Sequence, residues 1–398
     1  MNFRTILILG ALSAFGPLAI DFYLPAFPAM ALAFGTDEQH VQQTLAAYFL
    51  GLSIGQLAYG PVADRFGRRL PLLIGVGLFT AASLACAYAP NLQWLIAARF
   101  VQALGGCAGM VISRAVVSDK CDAVGSAKVF SQLMLVMGLA PILAPMLGGV
   151  LVNTTGWQSI FLALTGFSAL AGLAVAFGLP ESMPAHLPRQ PMSGALRQYG
   201  RLLKDSVYLG HALTGGIAIA GMFSYIAGSP FVLIKLYGVP AEHFGWFFGA
   251  NAAGFILVAQ VNARLLAKRG PAFLLSRAVW VYLGAGLALL AVSAMHTAQL
   301  WPLLIPLFVC IASLGCILPN ASACAMNGQG ARAGSASAML GCIQFSVAAG
   351  AAALVGILHD GSAMPMAMVI SLCAILVVGV AMLTRRLQNA RALVKAQV

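Results

Sequence analysis

The sequence predicts an all-α polytopic membrane protein, with twelve transmembrane helices in two pseudo-symmetric six-helix bundles. Three observations predict it. First, 61% of the 398 residues are hydrophobic and only 8% are charged, against about 25% charged in a soluble chain. Second, apolar stretches of about 20 residues, enough to cross a bilayer, recur from end to end. Third, the cations keep to alternate loops. With the N-terminus in the cytoplasm, every one of the 22 lysines and arginines falls on the inner side except Lys235, Arg99 and Arg114. That bias orients membrane helices. The net charge of +12 is thus a topology signal and not a nucleic-acid footprint, and both termini are expected in the cytoplasm.

The spans are expected near 6–28, 41–59, 70–88, 92–116, 128–152 and 157–179, and near 207–235, 243–263, 273–294, 301–325, 334–357 and 364–384. The first opens with Arg4 and an apolar core, like a secretory leader. Asp21, Pro25 and Pro28 stand where a small-residue cleavage site belongs, so it reads as an uncleaved helix. The second runs into Gly60–Arg69, GPVADRFGRR, read as a charged turn. Gly60 and Gly67 permit a tight path, and Asp64 is placed to face a helix N-terminus. Arg65, Arg68 and Arg69 are placed to tie the inner ends of neighbouring spans, locking and releasing a cytoplasmic closure. The fourth span carries Arg99 and Gln102 on one face, with Arg114 near its inner end, expected to snorkel or to meet Asp64. The fifth contains GLAPILAPMLGG (138–149), whose prolines and glycines bend a membrane helix and allow close packing against a helix of the other half.

The longest polar interval, Pro180–Asp205, separates a six-helix bundle at 1–180 from another at 207–398. The central loop, 181–206, closes on GALRQYGRLLKD. There Leu196, Tyr199, Leu202 and Leu203 recur at helical spacing, away from Arg197, Arg201 and Lys204. This predicts an amphipathic helix with its cations toward lipid headgroups or a soluble partner. The seventh span breaks at GMFSYIAGSPF (221–231), whose Phe223, Tyr225 and Phe231 either line an aromatic cavity or pack. The eighth ends in AKRGP (267–271), an echo of ADRFGRR without a counterpart to Asp64. Weak symmetry between six-span halves marks many secondary transporters, with substrate near the midplane.

Ten residues are acidic, and Asp21 alone lies inside an apolar run, where an ionisable group costs at least about 2.5 kcal/mol on insertion scales. Asp21 and Arg99 are both expected roughly 9 Å below the outer boundary at 1.5 Å rise per residue, so they are expected to meet, directly or through water. Burial favours a neutral carboxyl and a nearby cation a charged one. Opposed in that way, Asp21 can exchange a proton against a substrate that alters either influence. Tyr48, Gln102, Phe223, Tyr225, Asn251, Asn320 and Gln344 are the candidates for a substrate cavity.

Other chemistries find no residues. The eight cysteines include no Cys-x-x-Cys pair, and the histidines are scattered, so no metal site, disulfide framework or catalytic cluster is expected. GSASAMLG lacks the lysine of a phosphate-binding loop, which excludes an ATP engine. No cofactor is expected, and the longest loop is too short for a receptor or scaffold domain.

Jointly these segments resemble the major facilitator superfamily and, within it, the twelve-span drug:proton antiporters. GPVADRFGRR looks like the signature between the second and third helices. RFVQALGG, from Arg99, looks like the fourth-helix signature tied to proton coupling. GLAPILAPMLGG looks like the antiporter signature of the fifth, with Ala144 where glycine is usual. IDFYLPAFP and GMFSYIAGSPF look like the bicyclomycin-resistance (Bcr/CflA) branch. The resemblance implies the major facilitator fold, Asp21 as proton carrier, Arg99 as coupling residue, Asp64 with its arginines as gate, and Pro145, Gly148 and Gly149 as antiporter hinge. Ser13 stands where some related exporters carry a further acid. The implied protein is a monomeric multidrug exporter of a bacterial inner membrane whose partners are small amphipathic drugs, protons and lipid. Export of an endogenous metabolite, such as an amino acid derivative, is the alternative.

Overall fold

The computed structural model describes residues 2–120, 129, 133, 140, 143–183, 192–295, 299–327, 329 and 333–396. Its regular elements are all helical. In chain order they are α1 (Phe3–Ser13), α2 (Phe15–Asp21), α3 (Phe27–Ala33), α4 (Glu38–Phe66), α5 (Arg69–Ala87), α6 (Leu92–Lys120), α7 (Leu143–Thr155), α8 (Gln158–Gly178), α9 (Met192–Lys204), α10 (Ser206–Ser229), α11 (Ala241–Arg269), α12 (Pro271–Ala294), α13 (Trp301–Met326), α14 (Ala333–Ile357) and α15 (Met364–Ala396). Among the described residues 11 spans are long and apolar enough to cross a membrane. The remaining one, expected at 128–152, lies largely outside them, and α7 is its described end.

Local chemistry sets the boundaries. Asp37 starts α4 by accepting from the His40 N–H at 2.9 Å. Asn91 starts α6 by accepting from the Trp94 N–H at 2.8 Å, and Asp205 starts α10 by accepting from the Val207 N–H at 3.2 Å. Such caps satisfy the orphan donors of a first turn. The first span is segmented. A proline cannot donate to the carbonyl four residues back and clashes with it. Pro17 so strips the Ser13 carbonyl and Pro25 the Asp21 carbonyl, and α1 and α2 end at those two residues. The seventh span stays helical through Ser229 and widens into a π-type turn at Pro230–Leu236. Leu170, Phe177 and Ile305 stand exposed, as a lipid-facing surface requires.

The chain divides into two compact units, Met1–Ala195 with Gly238–Gly249 and Leu196–Tyr237 with Ala250–Val398. In the first, α6 packs on α4 and on α5, and α5 on α8. Glycines bring the backbones together. A methyl on Gly51 would sit 2.5 Å from the Phe100 carbonyl, and one on Gly55 2.7 Å from the Cys107 Cβ. In the second unit α13 packs on α12 and α12 on α15, the same pattern, and α10 lies against α14 and α15. The echo extends to detail: α4 and α11 are each 29 residues long, and each is followed by a glycine with positive φ, Gly67 at 88° and Gly270 at 72°.

Candidate functional site

Asp21 ends α2 and is 3% exposed. Among the described residues its carboxylate takes part in no hydrogen bond or ion pair. Arg99, in α6, is fully buried. Its guanidinium donates to Gln102 Oε1 at 2.5 Å and to the Ala19 carbonyl at 2.8 Å. The rings of Tyr23 and Tyr48 each lie 4.2 Å from its carbon. Gln102 in turn donates to Ser83 Oγ at 2.7 Å, and Ser83 to the Phe79 carbonyl at 2.7 Å. Tyr23 shares a hydrogen bond of 3.2 Å with Thr44.

The direct form of the expected Asp21–Arg99 pair is not found among the described residues. Arg99 does reach the depth of Asp21, since it bonds the carbonyl two residues earlier. No ion pair links the two. The last carbonyls of a helix lack intrahelical donors, and the guanidinium satisfies one of them. Carbonyl and amide oxygens with two aromatic faces compensate the buried charge, each cation–π contact contributing up to about 2 kcal/mol when desolvated. Among the described residues Arg99 Nε and Tyr48 Oη are buried without hydrogen-bond partners, and they are the open valences of this shell.

The segment Gly60–Arg69 is mostly helix, which corrects its reading as a turn. Gly60 and Pro61 lie inside α4, and a methyl on Gly60 would meet nothing. The tight path rests on Gly67 alone. Asp64 occupies the last turn of α4 and accepts from Arg68 Nη1 at 2.6 Å. Arg68 Nε donates to Asp119 at the end of α6, at 3.0 Å. Glu181 takes the role expected of Asp64, because its carboxylate accepts the N–H groups of Arg68 and Arg69, at 2.9 and 3.0 Å, where α5 begins. Arg69 also donates to the Ala176 carbonyl of α8 at 2.6 Å. Arg65 lies over the Phe66 ring at 5.5 Å, and Arg114 is exposed on α6.

Burial raises the Glu181 carboxyl, but the N–H groups of Met183, Arg68, Arg69 and Ser182 outweigh it and hold it below the usual range. Burial lowers Arg68, while the bonds and charges of Asp119 and Asp64 outweigh that and leave it above its ordinary value. The cluster thus binds the end of α4, the start of α5 and the end of α6 to the segment after α8.

Pro145, Gly148 and Gly149 lie in α7, whereas Gly138 and Pro141 of the same motif fall outside the described residues. A methyl on Gly148 would run into the Phe22 carbonyl, next to Asp21. One on Gly149 would sit 2.6 Å from the Ala241 carbonyl, and one on Gly245 2.9 Å from the Met146 nitrogen. The start of α11 is so seated on α7 within the first unit.

The cavity candidates form separate groups. Tyr48 and Gln102 belong to the Arg99 shell. In the second unit Asn251 donates to Tyr225 Oη at 3.1 Å, and Phe223 meets Phe345 at 6.0 Å. Asn320 donates to Asn262 Oδ1 at 2.7 Å in another cluster, with Cys316 3.2 Å from the same oxygen. Gln344 is half-buried on α14. Sequence reasoning passed over Ser83, Asp119, Glu181 and Glu38. Glu38 looks like a loop acid, yet it opens α4 and is 2% exposed. For Asp119 and Glu181 a signal existed, as both follow a span closely on the arginine-rich side. The seven described cysteines are free, and no metal-holding group occurs among the described residues.

Fold and motifs together define a polytopic membrane transporter class, and the sequence matches the Major Facilitator Superfamily over residues 7–353. The chain belongs to that superfamily. It is 39% identical over 373 residues to an uncharacterized MFS-type transporter of Bacillus subtilis, YdgK, covering 93% of this chain and 92% of that one. It is 31% identical to a bicyclomycin resistance protein homolog of Haemophilus influenzae, covering 94% of each, and 29% identical to multidrug resistance protein D of Escherichia coli, covering 86% of each. Among solved structures, a bacterial homolog to the human lysosomal transporter Spinster shares the fold. Its inward-facing unoccupied form gives a TM-score of 0.72 at 14% identity, over 97% of this chain and 98% of that one.

Proposed function

We propose that this chain is a proton-coupled multidrug efflux antiporter. It exports small amphipathic antibiotics, of bicyclomycin, phenicol or sulfonamide type, across a bacterial inner membrane by alternating access. Both termini lie in the cytoplasm, the working form is a monomer, and no reaction is catalysed. Relatives named for bicyclomycin and multidrug resistance support the substrate class. The observation that carries the mechanism is Asp21, buried and without a described partner at the end of α2. No described charge opposes the preference of a buried carboxyl for its neutral form, so arriving cargo is what drives the proton off. It takes a proton from outside, releases it inside, and gives way to cargo between. Arg99 shapes the turn that carries Asp21.

Inverted membrane vesicles with an imposed pH gradient test this reading. Asp21→Asn should abolish gradient-driven drug accumulation while the protein remains folded and inserted. Normal accumulation by the variant rejects Asp21 as carrier. Unchanged drug tolerance of deletion and overexpression strains, with altered extracellular metabolites, assigns the chain to metabolite export instead.

A further inference from the structure

We propose that α9 is a receptor for anionic phospholipid headgroups, and that it passes their binding to α14. The helix has two unlike sides. Tyr199 and Leu202 are buried, and Gln198 accepts a hydrogen bond from Ser335 of α14 at 2.6 Å. Tyr208, at the start of α10, donates to the Ala336 carbonyl at 2.6 Å. The first turn of α14 is so held from two neighbours in the second unit. The other side of α9 exposes Arg197, Arg201 and Lys204, with Leu203 half exposed among them. Among the described residues none of the three cations has a hydrogen bond or ion pair, and the helix contains no acid.

Lipid is the occupant that this pattern fits. In chain order α9 ends one residue before α10, a span, so its last turn is held near that span's end. With Tyr199 and Leu202 spent on the protein the helix cannot bury itself deeply, but its cations, with Leu203 among them, can engage charged headgroups. Each cation near such a surface strengthens association about fivefold, so three together contribute on the order of a hundredfold. The Gln198–Ser335 bond then makes headgroup binding a restraint on the end of a transmembrane helix.

The test uses the full chain in nanodiscs of phosphatidylcholine, with and without phosphatidylglycerol. Hydrogen exchange is followed at α9 and at the first turns of α14. Phosphatidylglycerol should slow exchange in both segments, and the effect should fade as salt rises. The triple variant R197Q/R201Q/K204Q should lose both responses, whereas R197K/R201K should keep them, which separates charge from folding. Q198A with S335A should keep the α9 response and lose that of α14. A phosphatidylglycerol response that survives in the triple variant, or none in the native chain, overturns lipid binding. An α14 response that survives Q198A/S335A overturns the transmission.

Discussion

The guanidinium of Arg99 holds the Ala19 carbonyl at 2.8 Å. That bond joins α6 to the helical turn that ends in Asp21. Asp21 and Arg99 are therefore coupled through backbone, so Arg99 bears on where the carboxylate stands more than on what charge it feels.

Arg99→Lys should fail even though it keeps the charge. An ammonium cannot reproduce the planar fork that serves Gln102 and Ala19 at once, nor lie flat between Tyr23 and Tyr48. Each buried acceptor left unpaired costs about 1–3 kcal/mol. The expected outcome is at least about a tenfold loss of export, equivalent to roughly 1.4 kcal/mol, with a lowered unfolding temperature. Native export by the lysine variant would remove Arg99 from the mechanism.

Asp119→Asn should destabilise more than Asp64→Asn. Both accept from Arg68, but the Asp119 side chain is 11% exposed and that of Asp64 53%. A shielded charge-assisted bond contributes roughly 1.5–3 kcal/mol, an exposed one under about 1 kcal/mol. Thermal unfolding of the two variants in one detergent decides the order, and equal shifts would contradict it.

Glu181→Gln should weaken the start of α5 by about 1 kcal/mol, the scale of a lost helix cap. Because the folded carboxyl sits below its ordinary value of 4.5, its contribution is complete above that pH and is lost as acid carries the group through its depressed folded value. The native chain should thus lose stability below about pH 4.5 more steeply than the variant. Parallel pH profiles for the two would assign the bonds at Arg68 and Arg69 no energetic weight.

Gly148→Ala should impair transport by moving Phe22 and, with it, Asp21. Overpacking of this kind costs about 1–3 kcal/mol. The pH dependence of export should shift as well as its rate, which a simple loss of folded protein would not produce. An unaltered pH profile would leave Gly148 a packing residue only.

The helical fold, eleven of the span positions and the α9 helix were legible because apolar length and amphipathic spacing are local properties of the chain. Asp21 and Arg99 stood out for the same reason, as charges inside apolar runs. Their actual relationship was not legible, because it depends on where Pro25 ends α2 and so which carbonyl is left without a donor. Asp64 misled for a related reason. Glycine and proline at Gly60–Pro61 read as a turn in water, whereas packing in a membrane protein carries helix α4 through them to Phe66. Asp119 and Glu181 lie far from Arg68 in sequence, and only tertiary structure brings them to it.

The glycine seam that locks α4 onto α6 leaves that pair no slack, since each approach is already backbone against neighbour. The first span has the opposite character, being jointed at Ser13 and again at Asp21 by its prolines. The unit is thus built as an anvil beside a linkage of short rods. On the proposed mechanism, the rearrangement that proton release sets off has its cheapest route through those joints, and Asp21 sits on the hinge pin itself.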